Sequence, residues 1–107
     1  MKCPNCGKKL KEMKYPAGFC FECEACHGRF LSLGMLRRGS SNPKLLDDLW
    51  ARAQVSPKDG RDCPSCGQTM KMVTERLQGK FIELDVCLMC QNVWFDPFEL
   101  EQMPTTL

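Results

Sequence analysis

The chain has 107 residues, nine of them cysteine, and no apolar run approaches the length of about 18 residues that crosses a membrane. The N-terminus also lacks the apolar segment of a secretory signal peptide. The formal net charge of +2 is uneven, because residues 1–42 carry eight basic and three acidic side chains whereas residues 61–107 carry four and seven. We therefore predict a small soluble protein with free thiols in a reducing cytoplasm, rather than a disulfide-bonded secreted protein.

The first predicted unit covers residues 1–38 and contains two C-x2-C cysteine pairs that are 16 residues apart. Alternating segments on both sides of Pro16-Ala17-Gly18 predict a β-hairpin between the pairs. After the second pair, Ser32 is the predicted N-cap of a short helix that Gly39 ends.

Residues 39–60 form the predicted linker. Asn42 can cap, and Pro43 can begin, a helix that we predict over about residues 43–54. A helix this short needs an apolar stripe packed against a neighbour. The stripe consists of Leu45, Leu46, Leu49, Trp50 and Ala53.

The second predicted unit, residues 61–107, repeats the pattern of the first. Alternating segments on both sides of Gln78-Gly79-Lys80 predict a second hairpin between two further C-x2-C pairs. Asp96 with Glu99 three residues later has the pattern of a capping box, which predicts a short helix through Met103. Trp94 aligns with Phe30 of the first unit, and both are expected in a small core.

Two C-x2-C pairs in each unit supply the four thiolates of a closed, tetrahedral, structural zinc site. A ribbon of this size buries too little apolar surface to fold alone, and metal binding supplies the missing free energy. We predict two Zn²⁺ ions and no catalytic residues. The predicted ligands are Cys3, Cys6, Cys23 and Cys26 at one site and Cys63, Cys66, Cys87 and Cys90 at the other.

Two other interpretations of the eight cysteines stay open at this point. They could be unmetallated thiols or disulfides, or they could bind iron as in a rubredoxin-like electron carrier, because a four-sulfur set does not distinguish zinc from iron. The repeated spacing favours zinc, so the purified protein is expected to be colourless.

Cys20 and His27 also carry possible ligand atoms. Cys20 aligns with Leu84 in the repeat, so we predict a small apolar core residue, with ligand exchange or redox chemistry as the alternative. His27 aligns with Gln91 and is predicted to lie outside the metal shell.

The motifs of the second unit carry a family resemblance. They are the C-P-x-C-G turn, Asp85 just before the second cysteine pair, and the segment from Val93 to Leu100 with the pattern V-W-[LF]-D-x-x-E-L. In these motifs the chain resembles the bacterial zinc-ribbon family of the transcription factor IIB type. The first unit departs from the pattern, with Arg29-Phe30-Leu31-Ser32 and Met35 at the matching positions. The resemblance implies a small metal-stabilised β-rich (α+β) fold of two three-stranded antiparallel zinc ribbons joined by a short helix.

The tandem arrangement is also similar to the cytosolic N-terminal region of some bacterial rhomboid-type intramembrane proteases. Leu36-Arg37-Arg38 and Leu49-Trp50-Ala51-Arg52-Ala53 carry this second resemblance. It implies an accessory domain on the cytosolic side of a membrane protein, with the Ser/His pair of the protease outside residues 1–107.

The closed metal sites and mixed charge favour a non-enzymatic module that contacts a protein partner or an adjoining domain. Nucleic-acid binding is the alternative. Zinc-bound thiolates add negative charge to each unit. The second unit, which is already acidic, would then repel the phosphates of a nucleic acid. Redox chemistry or metal handling is a third interpretation. The basic side chains behind the nucleic-acid alternative are Lys2, Lys8, Lys9, Lys11, Lys14, Arg29, Arg37 and Arg38.

Overall fold

The computed structural model describes residues 1–107 and contains seven strands and two α-helices. The strands are β1 (Lys11–Tyr15), β2 (Gly18–Glu22), β3 (Arg29–Ser32), β4 (Asp59–Asp62), β5 (Thr69–Leu77), β6 (Lys80–Cys87) and β7 (Asn92–Phe95). The helices are α1 (Leu33–Gly39) and α2 (Pro43–Val55), and a turn of 3₁₀ helix covers Leu100–Gln102. All seven strands belong to one antiparallel sheet in the order β1-β2-β3-β7-β6-β5-β4.

Two ribbons make up this sheet, which confirms the predicted fold class. The first ribbon is β1–β3, and the second is β5–β7 with β4 added at its outer edge. They join where β3 pairs with β7, and there Phe30 lies opposite Trp94. These residues also match in the sequence repeat, so a local twofold axis passes between them. The hydrogen-bonded sheet is therefore continuous across the two repeats.

Each face of the sheet carries its own apolar cluster, because successive residues of a strand point to opposite sides. Phe30 and Trp94 belong to a cluster that also contains the buried cysteines Cys3, Cys23, Cys63 and Cys87. Their strand neighbours Leu31 and Val93 belong to the larger cluster, which both helices cover. Cys20 is fully buried in that larger cluster, at the apolar position expected for it.

Helix α2 spans Pro43–Val55, close to the predicted 43–54, and buries Leu46, Leu49 and Ala53 completely. Trp50 is half-buried and packs against the same cluster. The prediction that Asn42 caps α2 is wrong, because the Asn42 side chain makes no capping hydrogen bond. In α1 the cap is as predicted: the hydroxyl of Ser32 accepts from the backbone N–H of Met35 at 3.0 Å.

The predicted helix from Asp96 through Met103 is wrong. Only one turn of 3₁₀ helix forms, at Leu100–Gln102, because Phe98 has a left-handed φ of 69° that interrupts an α-helix. Half of the capping box is present, since the carboxylate of Glu99 accepts from the backbone N–H of Asp96 at 2.9 Å. The Asp96 carboxylate does not cap in return, because it binds side chains of the metal-site region instead.

Candidate metal centres

The thiols of Cys3, Cys6, Cys23 and Cys26 form one group whose sulfur atoms all lie within 4.8 Å of one another. We call this group the first site. The sulfurs of Cys6 and Cys23 are 3.6 Å apart, near the separation of about 3.8 Å expected for two thiolates on one tetrahedral zinc. The turns before β1 and before β3 supply the two pairs. The donor set and its geometry fit a four-coordinate metal ion.

The second site repeats this geometry with Cys63, Cys66, Cys87 and Cys90, again within 4.8 Å. The sulfurs of Cys66 and Cys87 are also 3.6 Å apart. At both sites the first cysteine of each pair is buried, while the second is more exposed. All nine cysteines are free thiols, so no disulfide competes with metal binding.

Backbone N–H groups in the turns point at the buried sulfurs. The N–H groups of Asn5 and Cys26 lie 3.4 and 3.3 Å from the sulfurs of Cys3 and Cys23, and Ser65 and Cys90 repeat these contacts at the second site. Such donors stabilise negative charge on a metal-bound thiolate.

Each turn closes with a residue of positive φ, Gly7 and Gly67 at 77° and His27 and Gln91 at 63° and 57°. The structure thus places His27 at a turn position, outside the four-thiol group.

Without a cation, the thiols of the first site cannot all be charged. A backbone hydrogen bond at Lys8 lowers the pKa of Cys6 to about 7. The hydrogen bond to Cys6, with burial, raises the pKa of Cys26 to about 12. Burial likewise raises the pKa of Cys63 to about 12 at the second site. A metal ion supplies the positive charge that holds four thiolates together, and its binding releases protons.

A charged network that the sequence analysis missed lies beside the first site. The guanidinium of Arg61 donates to both carboxylate oxygens of Asp96 at 3.0 and 3.1 Å, and its Nε donates to Asp85 at 2.8 Å. Asn5 Nδ2 and Trp94 Nε1 each donate to Asp96 Oδ1 at 3.1 Å. The strand pairings β4–β5, β5–β6, β6–β7 and β3–β7 together bring these groups into contact, so local sequence patterns carry no signal for Arg61.

This network shifts the ionisation of its members. Burial acts to raise the pKa of Asp96, but the hydrogen bonds from Arg61, Asn5 and Trp94 outweigh it and hold that pKa below its usual value. Burial acts to lower the pKa of Arg61, and its bonds to Asp96 and Asp85 outweigh that effect and raise it. The ion pair between Arg61 and Asp96 therefore stays charged under physiological conditions.

A cleft of about 700 Å³ separates the first cysteine turns of the two sites. Lys2 and Arg61 contribute basic groups to its walls, and Asp62 contributes an acidic one. The buried ligands Cys3 and Cys63 also line it, so the groove between the ribbons runs directly past both metal sites.

A protein-family model matches both repeats of the chain. The transcription factor zinc-finger model, a zinc ribbon of the TFIIB type, matches residues 2–38 and 62–103. The matched ranges contain the two groups of four thiols, and together these findings support two Zn²⁺ ions, one per group. No curated protein and no solved structure matches the chain. No helix has both the length and the apolarity that crossing a membrane requires.

Proposed function

Because the chain belongs to the transcription factor zinc-finger family of TFIIB-type ribbons, we propose that it is a non-enzymatic zinc-binding module that contacts a protein partner. Membership of a fold family does not by itself assign a role in transcription. The proposal instead depends on the chemistry of the metal sites and on the surface that the ribbons present.

The metal sites support a structural role for zinc. Each group offers four thiols, and a zinc ion with four cysteine ligands has no coordination position left for water or substrate. Beside the first site, the charged groups Arg61 and Asp96 bind each other in a bidentate ion pair, although Arg61 also lines the cleft. These features support a binding module in preference to an enzyme.

The observation that carries protein contact is a pair of exposed phenylalanines on the second ribbon. Phe81 and Phe98 are 72% and 77% exposed, although neighbouring residues such as Ile82 and Leu84 are buried. The backbone N–H of Glu83 donates to the carboxylate of Glu99 at 3.2 Å, which fixes the segment with Phe98 beside the strand with Phe81. We call these two residues the aromatic surface. Exposed aromatic side chains on a rigid scaffold are typical anchors of protein interfaces.

The charges beside the aromatic surface indicate the chemistry of the partner. The guanidinium of Arg76 lies 5.6 Å from the centre of the Phe81 ring, and Lys80 is exposed at the start of the same strand. Glu83 and Glu99 lie on the same surface, so an apolar segment flanked by charges of both signs would complement this arrangement. We propose such a segment, on another protein or on an adjoining domain, as the partner.

Photo-crosslinking in the native host tests the proposal. A photoreactive phenylalanine analogue at position 98 should give a discrete protein adduct that mass spectrometry identifies, and Phe81→Ser should reduce its yield. The matched control carries the analogue at position 55, because Val55 is 79% exposed but lies on α2. Equal adducts from positions 98 and 55, or none from 98, would contradict the aromatic surface as a contact site.

Nucleic-acid binding is the second candidate, and the exposed lysines of the first ribbon favour it. Lys8, Lys9, Lys11 and Lys14 are all exposed on or beside β1. With both zinc ions bound, residues 1–42 carry roughly +3 and residues 61–107 roughly −5, so only one half would attract phosphate. Titration against DNA and RNA at two salt concentrations decides: micromolar, steeply salt-dependent binding that is lost when these lysines are neutralised would favour this candidate.

The resemblance to the cytosolic region of rhomboid-type proteases supports a more specific version of the proposal. In that version the chain is an accessory domain, the adjoining partner is a membrane protease, and the location is the cytoplasmic side of the membrane. Apolar membrane spans encoded in frame with this segment would support it, and their absence would leave a separate cytoplasmic partner.

A further inference from the structure

The two metal sites differ in what surrounds them, although their thiol groups match. Asn5 lies between the ligands Cys3 and Cys6, and its backbone N–H points at the sulfur of Cys3. Its side chain reaches the second ribbon, where it donates to Asp96 at 3.1 Å and accepts from Arg61. A ligand turn of the first site is therefore held in place by side chains of the second ribbon.

The other ligand turn of the first site also depends on the second ribbon. The carbonyl of Gly28 accepts from the N–H of Cys23 at 3.0 Å and so closes this turn. A Cβ atom at Gly28 would collide with the Trp94 ring, which shows that the indole packs directly on the turn. The same indole donates to Asp96, so one connected group of residues supports both turns.

The second site has fewer side-chain hydrogen bonds with the first ribbon, although Phe30 belongs to the same buried cluster as Cys63 and Cys87. In the repeat, Ser65 and Ser32 occupy the positions of Asn5 and Asp96. Ser65 contributes only its backbone N–H to the second site, and the hydroxyl of Ser32 caps α1. One backbone hydrogen bond runs from the first repeat to the second site, from Leu33 N–H to the carbonyl of Gln91 at 2.9 Å.

The second ribbon also has more structure of its own. Its hairpin strands β5 and β6 have nine and eight residues, whereas β1 and β2 have five each. Strand β4 extends it at the edge, and α2 packs on β5. The second ribbon therefore has more strand pairing and helix packing of its own around its ligand turns than the first ribbon has.

From these contacts we infer that the two zinc ions bind in order. The ion at the second site binds first, and it organises Trp94 and Asp96, which then position the ligand turns of the first site. Asn5 and Asp96 are the positioning residues of this coupling, and outer contacts of this kind change metal affinity by about 10- to 100-fold.

Cysteine protection measures the order directly in the full chain. The metal-free protein receives one equivalent of zinc, is treated with an alkylating reagent, and is digested for mass spectrometry. We expect the peptides with Cys63 and Cys87 to be protected and those with Cys3 and Cys23 to be alkylated. Equal protection of both sets, or earlier protection of Cys3 and Cys23, would overturn the inference.

A matched pair of substitutions tests the route of the coupling. Asn5→Ser places the residue of the second site at the first, and Ser65→Asn makes the opposite change. In a cobalt titration followed by the absorption of the metal–thiolate bands, Asn5→Ser should weaken the first site about tenfold or more and leave the second unchanged. Ser65→Asn should change neither site. Unchanged first-site affinity in Asn5→Ser would show that the second ribbon does not position the ligands through this residue.

Discussion

Arg61 is the residue on which the buried charge of this molecule depends. Asp85 is completely buried, and one of its carboxylate oxygens accepts from Arg61 while the other has no partner. Gly60 makes room for this carboxylate, because a Cβ atom there would collide with it. Without Arg61, the carboxylate would be buried with no compensating charge.

Replacing Arg61 by alanine should therefore destabilise the zinc-loaded protein by about 3–5 kcal/mol, since it leaves an unpaired buried charge. Urea denaturation at neutral pH measures the free energy of unfolding. Arg37→Ala is the control, because it removes an exposed ion pair with Asp47 and should cost less than about 1 kcal/mol. Similar losses in the two variants would show that the Arg61–Asp85 pair is not a buried-charge contact.

Among the elements, α2 shows most clearly how sequence pattern becomes packing. Its apolar stripe predicts the buried face, and the structure places Leu46, Leu49 and Ala53 at zero exposure against the sheet. Lys44 and Asp48, one turn apart on α2, form an exposed ion pair. This pair contributes little to the stability of the helix. The stability of α2 therefore comes from its apolar contacts.

Leu49→Ala should lower the free energy of unfolding by about 2–5 kcal/mol, because it leaves a cavity under α2. Val55→Ala, at the exposed end of the same helix, should change it by less than about 0.5 kcal/mol. Thermal unfolding followed by circular dichroism compares the two variants. A small loss for Leu49→Ala would mean that α2 contributes little to the stability of the sheet.

At the scale of the whole molecule, the end of the chain returns to the first repeat. The N–H of Thr106 donates to the carbonyl of Gly39 at 2.8 Å, and the N–H of Ala17 donates to the carbonyl of Leu107 at 3.3 Å. Arg29 of β3 pairs with Glu101. These contacts and the β3–β7 pairing make the two repeats parts of one folded body.

Gly39→Ala tests this contact, because a Cβ atom at position 39 would lie 2.5 Å from the carbonyl oxygen of Thr106. We expect a loss of stability of about 1–3 kcal/mol and faster hydrogen exchange at Ala17 and Thr106. Gly34→Ala is the matched control in the same helix, where the nearest atom is 3.5 Å away and alanine favours the helix by about 0.5–1 kcal/mol. A neutral Gly39→Ala would show that this end of the chain is not docked.

The candidate metal sites could be predicted from local spacing, because each C-x2-C pair places two thiols on one turn whatever the rest of the chain does. The hairpins and α2 could also be predicted, from the periodic spacing of their apolar residues. The C-terminal helix was not, because the Asp96 carboxylate that the capping pattern assigned to a helix is recruited by Arg61, Asn5 and Trp94. Each of these competing contacts depends on how strands distant in sequence align.

Sequence patterns alone were enough to establish two four-thiol sites, two ribbons and the helix between them, since short-range spacing and periodicity encode all of these. The joining of the ribbons through β3 and β7, and the unequal surroundings of the two metal sites, emerge only in the folded molecule. The physical reason is register. The Phe30–Trp94 pairing brings together residues 64 positions apart, and no local propensity specifies it.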